Sequence, residues 1–115
     1  MVEGAGTDTA GHNNLMDAKM SNVATFERAI AVVLKFMKEN PDTLLIITSD
    51  HETGGVQLPA EGEQPSNDLF TSESHTGVNV RVFALGYGAE YFYGKTVDNT
   101  DIAKFAISAI KGELK

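Results

Sequence analysis

The sequence predicts an α/β domain, a partial, mostly parallel sheet flanked by helices. Three observations carry this expectation. The aliphatic run Thr43-Leu-Leu-Ile-Ile-Thr-Ser49, bracketed by Asn40-Pro41 and Gly54-Gly55, has the make-up of a strand buried on both faces of a parallel sheet. A helical stripe precedes it, giving the helix, tight turn and strand of half a βαβ unit. A second helical stripe closes the chain. At 115 residues, a single domain over 1–115 is the expected organisation.

Taken in order, residues 1–12 are small, polar and rich in glycine, and read as a loop that carries Glu3, Asp8 and His12. Met1-Val2 reads as the end of a strand begun earlier, so the chain is expected to start inside a larger fold. From about Asn22 to Glu39, the residues Val23, Phe26, Ile30, Val33, Leu34 and Met37 recur at three- and four-residue steps, which lines them up along one helix. Ser21 or Asn22 is the expected cap, and Lys35 and Lys38 near the far end suit the helix dipole. Asn40-Pro41 stops the helix before the strand.

Val56 to Glu73, with Pro59 and Pro65 and no periodicity, reads as a long surface excursion. Ser74 to Gly86 alternates Val78, Val80 and Val82 with Asn79, Arg81 and Phe83, a strand pattern with His75 just ahead of it. Tyr87, Tyr91, Phe92 and Tyr93 read as packing residues rather than a binding box. Asn99 to Ile110 opens on a capping residue and places Ile102, Phe105, Ala106, Ala109 and Ile110 on one helical face.

Composition narrows the function. Sixteen acidic against nine basic residues give a net charge of -7, which disfavours nucleic acid and anionic membrane surfaces as partners. No apolar run approaches the roughly 18 residues a membrane span requires. The same charge repels a phosphate ester, so an anionic substrate would need positive charge supplied locally, most simply by metal cations. With no cysteine, a metal site here must use His, Asp and Glu. The amino terminus has neither the basic nor the apolar segment of a signal peptide, although a longer precursor could carry one.

All three histidines, His12, His51 and His75, fall in glycine-rich or strand-end stretches, and two have an aspartate close by, Asp8 four residues before His12 and Asp50 next to His51. Asp50 and His51 would sit just past the carboxyl end of the strand, where ligands bind in open α/β sheets. An oxygen and an imidazole nitrogen there can serve one metal ion, with zinc preferred to calcium because imidazole takes part. The residues alone leave a metal site and three hydrogen-bonding loop histidines as open alternatives, and leave Glu3 as a solvated carboxylate.

The motifs Met1-Val-Glu-Gly4, Asp8-Thr-Ala-Gly-His12-Asn13, Thr43 through Asp50-His51-Glu-Thr-Gly-Gly55 and His75-Thr-Gly77 resemble the carboxyl-terminal portion of alkaline phosphatases, and Asn99-Thr-Asp-Ile-Ala103 is compatible with that family's closing helix. The resemblance implies an alkaline-phosphatase-like fold with two zinc ions and one magnesium at the carboxyl edge of its sheet. By position, Asp8, His12 and His75 resemble ligands of the first zinc, Asp50 and His51 ligands of the second, and Glu3 the magnesium ligand. It also implies phosphate monoester hydrolysis through a phosphoserine and a periplasmic or extracellular setting, and leaves monomer and homo-oligomer as open alternatives. The family's serine nucleophile and phosphate-binding arginine match no residue here, so no catalytic residue is assigned and the chain alone is expected to be inactive. Two other readings stand beside it: a stand-alone zinc-binding or interaction module, and a related phosphomutase or sulfatase.

Overall fold

The computed structural model describes residues 1–114 and divides the chain into two compact units. Met1–Val33 and His51–Val80 form the first; Leu34–Asp50 and the chain from Arg81 onward form the second. Among the described residues no helix is long and apolar enough to cross a membrane.

The first unit holds helix α1 (Gly6–His12), most of helix α2 (Met16–Glu39), the two-residue strands β2 (Glu52–Thr53) and β3 (His75–Thr76), and a 3-10 turn at Asn67–Leu69. Residues 6–12 are helical, where the sequence suggested a loop. Their glycines permit close packing: a Cβ at Gly11 would lie 2.8 Å from the Thr53 carbonyl oxygen and 2.9 Å from Lys19 Nζ, and one at Gly6 would collide with the Asn22 side chain. Composition reads such residues as loop-forming, whereas tertiary contact makes them a helix.

Helix α2 begins at Met16, six residues before the expected cap at Asn22. Its first amide, Met16 N–H, donates to Asn67 Oδ1 at 2.8 Å, so a remote loop supplies the cap. Asn22 instead donates through Nδ2 to the Ala18 carbonyl four residues back, at 2.8 Å. Phe26, Ile30, Val33 and Met37 are half-buried as the stripe predicts, while Val23 and Leu34 are more exposed. The excursion from Val56 to Glu73 has no strand, and its ends are tied by Gln57 N–H to Leu69 O at 2.8 Å and Thr71 N–H to Gly54 O at 3.0 Å.

The second unit pairs β1 (Leu44–Thr48) with β4 (Val82–Gly86) and carries a 3-10 turn (Ala89–Phe92) and helix α3 (Asn99–Ile110). The two strands run antiparallel, from Leu44 opposite Gly86 to Thr48 opposite Val82, rather than parallel. Strand direction is set by which distant segment supplies the partner, and an aliphatic run does not carry that information. With one neighbour each, these strands leave Leu44 to Ile47 half-buried rather than buried on both faces. The Val78–Val82 alternation becomes a paired strand only at Val82, because β1 ends opposite it at Thr48. Gly86 sits at φ 93°, where a Cβ would strike the Thr43 carbonyl oxygen.

The core of this unit is aromatic. Phe92 and Phe105 are buried, Tyr91 stacks on Phe105 with centroids 4.3 Å apart, and Phe92 meets both rings edge-on at 5.1 Å. Tyr87 and Tyr93 stay exposed. Helix α3 spans the predicted residues, but its cap is Asp98, whose Oδ1 accepts from Thr100 N–H at 2.9 Å and from Thr100 Oγ1 at 2.6 Å. Ile110, expected on the inner face, is exposed in the last turn.

Candidate metal centre

Helix α1 sets Asp8 and His12 one turn apart on one face, which the four-residue spacing requires once the segment is helical. Strands β2 and β3 bring the other groups to them. Thr53 pairs across the ladder with His75, and His51 is two residues before Thr53, so all three side chains lie on one face.

Asp8 Oδ1 lies 3.3 Å from His75 Nε2 and 3.5 Å from His12 Nε2, and the two imidazole nitrogens are 3.1 Å apart. The His51 ring stacks on His75 with centroids 3.5 Å apart at 22°. Ligand atoms of Asp8, His51 and His75 all fall within 4.8 Å of one another. The family resemblance assigns His51 to a different ion from Asp8 and His75, and the fold brings ligand atoms of all three together.

The hydrogen bonds around the cluster fix how its nitrogens are presented. His12 Nδ1 lies 2.6 Å from the Glu73 carbonyl oxygen, a pure acceptor, so Nδ1 carries the proton and the lone pair of the neutral ring is on Nε2. Thr53, 3% exposed, donates its single hydroxyl proton to Asp8 Oδ1 at 2.6 Å. Its oxygen then accepts from His51 Nδ1 at 3.1 Å, which leaves the His51 lone pair on Nε2. This is the arrangement metal-binding histidines adopt: one nitrogen held by a protein acceptor, the other turned to the ion. Ligand atoms of Asp8, His51 and His75 thus lie close enough to serve one metal ion, and His12 Nε2 and His75 Nε2 are within hydrogen-bonding distance of each other. The Thr53 hydroxyl holds the Asp8 carboxyl below the usual carboxylate range against opposing burial, helped by His12, His75 and His51.

Three supporting groups have no role assigned from the sequence, although two of them stand inside the Asp50–Gly55 motif. Thr53 joins Asp8 to His51. Lys19 donates to the Thr53 carbonyl at 3.0 Å and the Thr7 carbonyl at 3.4 Å, which ties α1 to β2. Half-buried Glu52 accepts from the Gly55 and Val56 amides, each at 3.1 Å, and from the Thr76 hydroxyl. Burial pushes the Glu52 carboxyl up, but the Thr76 hydroxyl and those amides outweigh it and hold its pKa below the ordinary value. Alternation after His51 is the signal for Thr53, which must share its face. Gly54 and Gly55, at φ 99° and 57°, make the turn that aims the amides at Glu52.

Glu3 and Asp50 are the other two assigned residues. Glu3 is exposed and borders a hollow with Asn22, Thr25 and Phe26. Asp50 is exposed and belongs to the second unit.

Fold and site together define an α/β protein that gathers one aspartate and three histidines into a cluster. The alkaline phosphatase family model matches residues 1–67, and the chain belongs to that family. It is 42% identical to alkaline phosphatase 3 of Bacillus subtilis, over 100% of this chain and 40% of that protein. A cold-active alkaline phosphatase from a psychrophilic Shewanella superposes with a TM-score of 0.80 at 28% identity, covering 99% of this chain and 45% of that one. A TAB5 alkaline phosphatase variant, solved with magnesium bound, matches at a TM-score of 0.67 and 36% identity over 78% of this chain and 29% of its own. The chain has an alkaline-phosphatase-like fold and spans less than half the length of these relatives.

Proposed function

We propose that residues 1–115 are the carboxyl-terminal, metal-holding part of an alkaline phosphatase that hydrolyses phosphate monoesters through a phosphoserine. The observation that carries this reading is the convergence of Asp8 Oδ1, His12 Nε2 and His75 Nε2 at 3.1–3.5 Å, with the His51 ring stacked against them. Asp8, His12 and His75 would hold the first zinc, Asp50 and His51 would contribute to the second, and Glu3 would serve magnesium. When bound, zinc supplies Lewis acidity and lowers the pKa of a coordinated water. The chain's own part is to present these groups in fixed tautomers, through Glu73 and Thr53, and to hold cations that offset a net charge of -7 against an anionic ester.

In the whole enzyme β1 would join the family's mostly parallel sheet, in a periplasmic or extracellular setting. Exposed apolar side chains at Val32, Phe36, Phe83, Leu85 and Ile107 favour packing against further protein over a stand-alone module.

Calorimetric zinc titration of the metal-free chain, with His12→Ala and His75→Ala as controls, tests the metal reading. One tight site lost in both variants is expected, and wild-type binding in either variant would refute it. No turnover of an aryl phosphate by the zinc-loaded chain is expected, and robust turnover would show that residues here supply a nucleophile.

A further inference from the structure

We propose that Glu52 is a positioning residue: from the back of the β2–β3 ladder it fixes the register that sets His51 and His75 together as metal ligands. The inference rests on the metal reading above and deepens it.

The ladder is two residues long, Glu52 opposite Thr76 and Thr53 opposite His75. Backbone pairing of that length is marginal alone, and in a strand a slip of one residue sends every side chain to the other face. Here a slip would take His75 away from Asp8 and His51. The front of the ladder carries the ligands and Thr53. The back carries Glu52 and its cross-strand partner Thr76, whose hydroxyl donates to Glu52 Oε2.

The same carboxylate folds over the end of β2 and takes the amides of Gly55 and Val56, at 3.1 Å each. The two amides hold the carboxylate in place over the end of β2, and the cross-strand bond from Thr76 is the one lost if β3 shifts against β2. Gly54 N–H to Ser74 O, at 3.1 Å, continues the pairing by one step in the same register. Glu52 acts through the backbone that carries His51 and His75.

The test uses the 115-residue chain with Glu52→Gln, Thr76→Val, Thr76→Ser and the double variant Glu52→Gln/Thr76→Val. Zinc affinity is read by competition with a chromophoric chelator, and site geometry by the visible absorption of the cobalt-loaded protein. Glu52→Gln and Thr76→Val should each weaken zinc by about 10–100-fold and alter the cobalt band, as loss of an outer-shell partner does. Thr76→Ser, which keeps the hydroxyl, should restore both. The double variant should lose less than the product of the single losses, because both act through one contact. Wild-type affinity and cobalt band in Thr76→Val would overturn the proposal even if the variant melts earlier, and this comparison decides the matter should Glu52→Gln fail to fold. Equal zinc binding by wild type and His75→Ala would instead refute the metal reading and this inference with it.

Discussion

In the first unit the groups that meet most closely are polar: Thr53 with Asp8 and His51, Glu52 with Thr76 and two amides, Lys19 with two carbonyls. In the second the core is made of rings, Tyr91, Phe92 and Phe105 packed at 4.3–5.1 Å. Apolar packing is non-directional and serves cohesion. Hydrogen bonds are directional, cost dearly when half made, and so specify one arrangement of the atoms they join. Stability and site geometry should therefore answer to different residues.

The largest effect that would sharpen this contrast is expected from Phe105→Ala. Removing a buried phenyl from the aromatic cluster should destabilise the chain by about 3–5 kcal/mol in denaturant unfolding. Zinc affinity of the folded fraction should hardly change; an equal loss there would abolish the distinction between the units.

Thr53→Val is the converse change, keeping shape and burial while deleting the hydroxyl that orients Asp8 and His51. Zinc affinity should fall by about 10–100-fold with little change in melting temperature. A variant that melts much earlier but binds zinc normally would show Thr53 to be a core residue only.

The smallest effect belongs to the α3 cap. Chiefly the Thr100 hydroxyl, and then the Thr100 amide, holds the Asp98 carboxyl below its ordinary 3.8. A carboxylate whose pKa is lowered by folding stabilises the native state above its unfolded value, and the contribution disappears as pH falls through the lower, folded one. Asp98→Asn should therefore melt slightly earlier than wild type at neutral pH, and the gap should close below pH 3.8. A gap that persisted in acid would mean the charge is not what matters at this cap.

Legibility in the sequence follows the same division. Helix α3 and much of α2 are periodic, and β1 is a plain aliphatic run, because one repeating environment selects their residues. Helix α1 was not legible, since its glycines serve contacts with β2 and α2 rather than helical propensity. Strands of two residues have no period to read, and the antiparallel pairing of β1 with β4 depends on residues nearly forty positions apart. The histidines stood out by type and setting. Thr53 and Glu52 did not, because a hydroxyl and a carboxylate beside two glycines look like turn chemistry until their partners are known.

The Asn67 cap on Met16 bears on how this chain tolerates changes of length. Surface excursions without regular structure ordinarily accept insertions and deletions freely. Around Gly62, where the chain is exposed and a side chain would meet open space, added residues should be absorbed. A single residue lost between Asn67 and Leu69 would pull the amide oxygen away from Met16 N–H and the closure at Gln57 out of step. Length variants of this segment should thus sort into two classes within a few residues of each other, harmless at the tip and fraying the start of α2 at the Asn67 anchor.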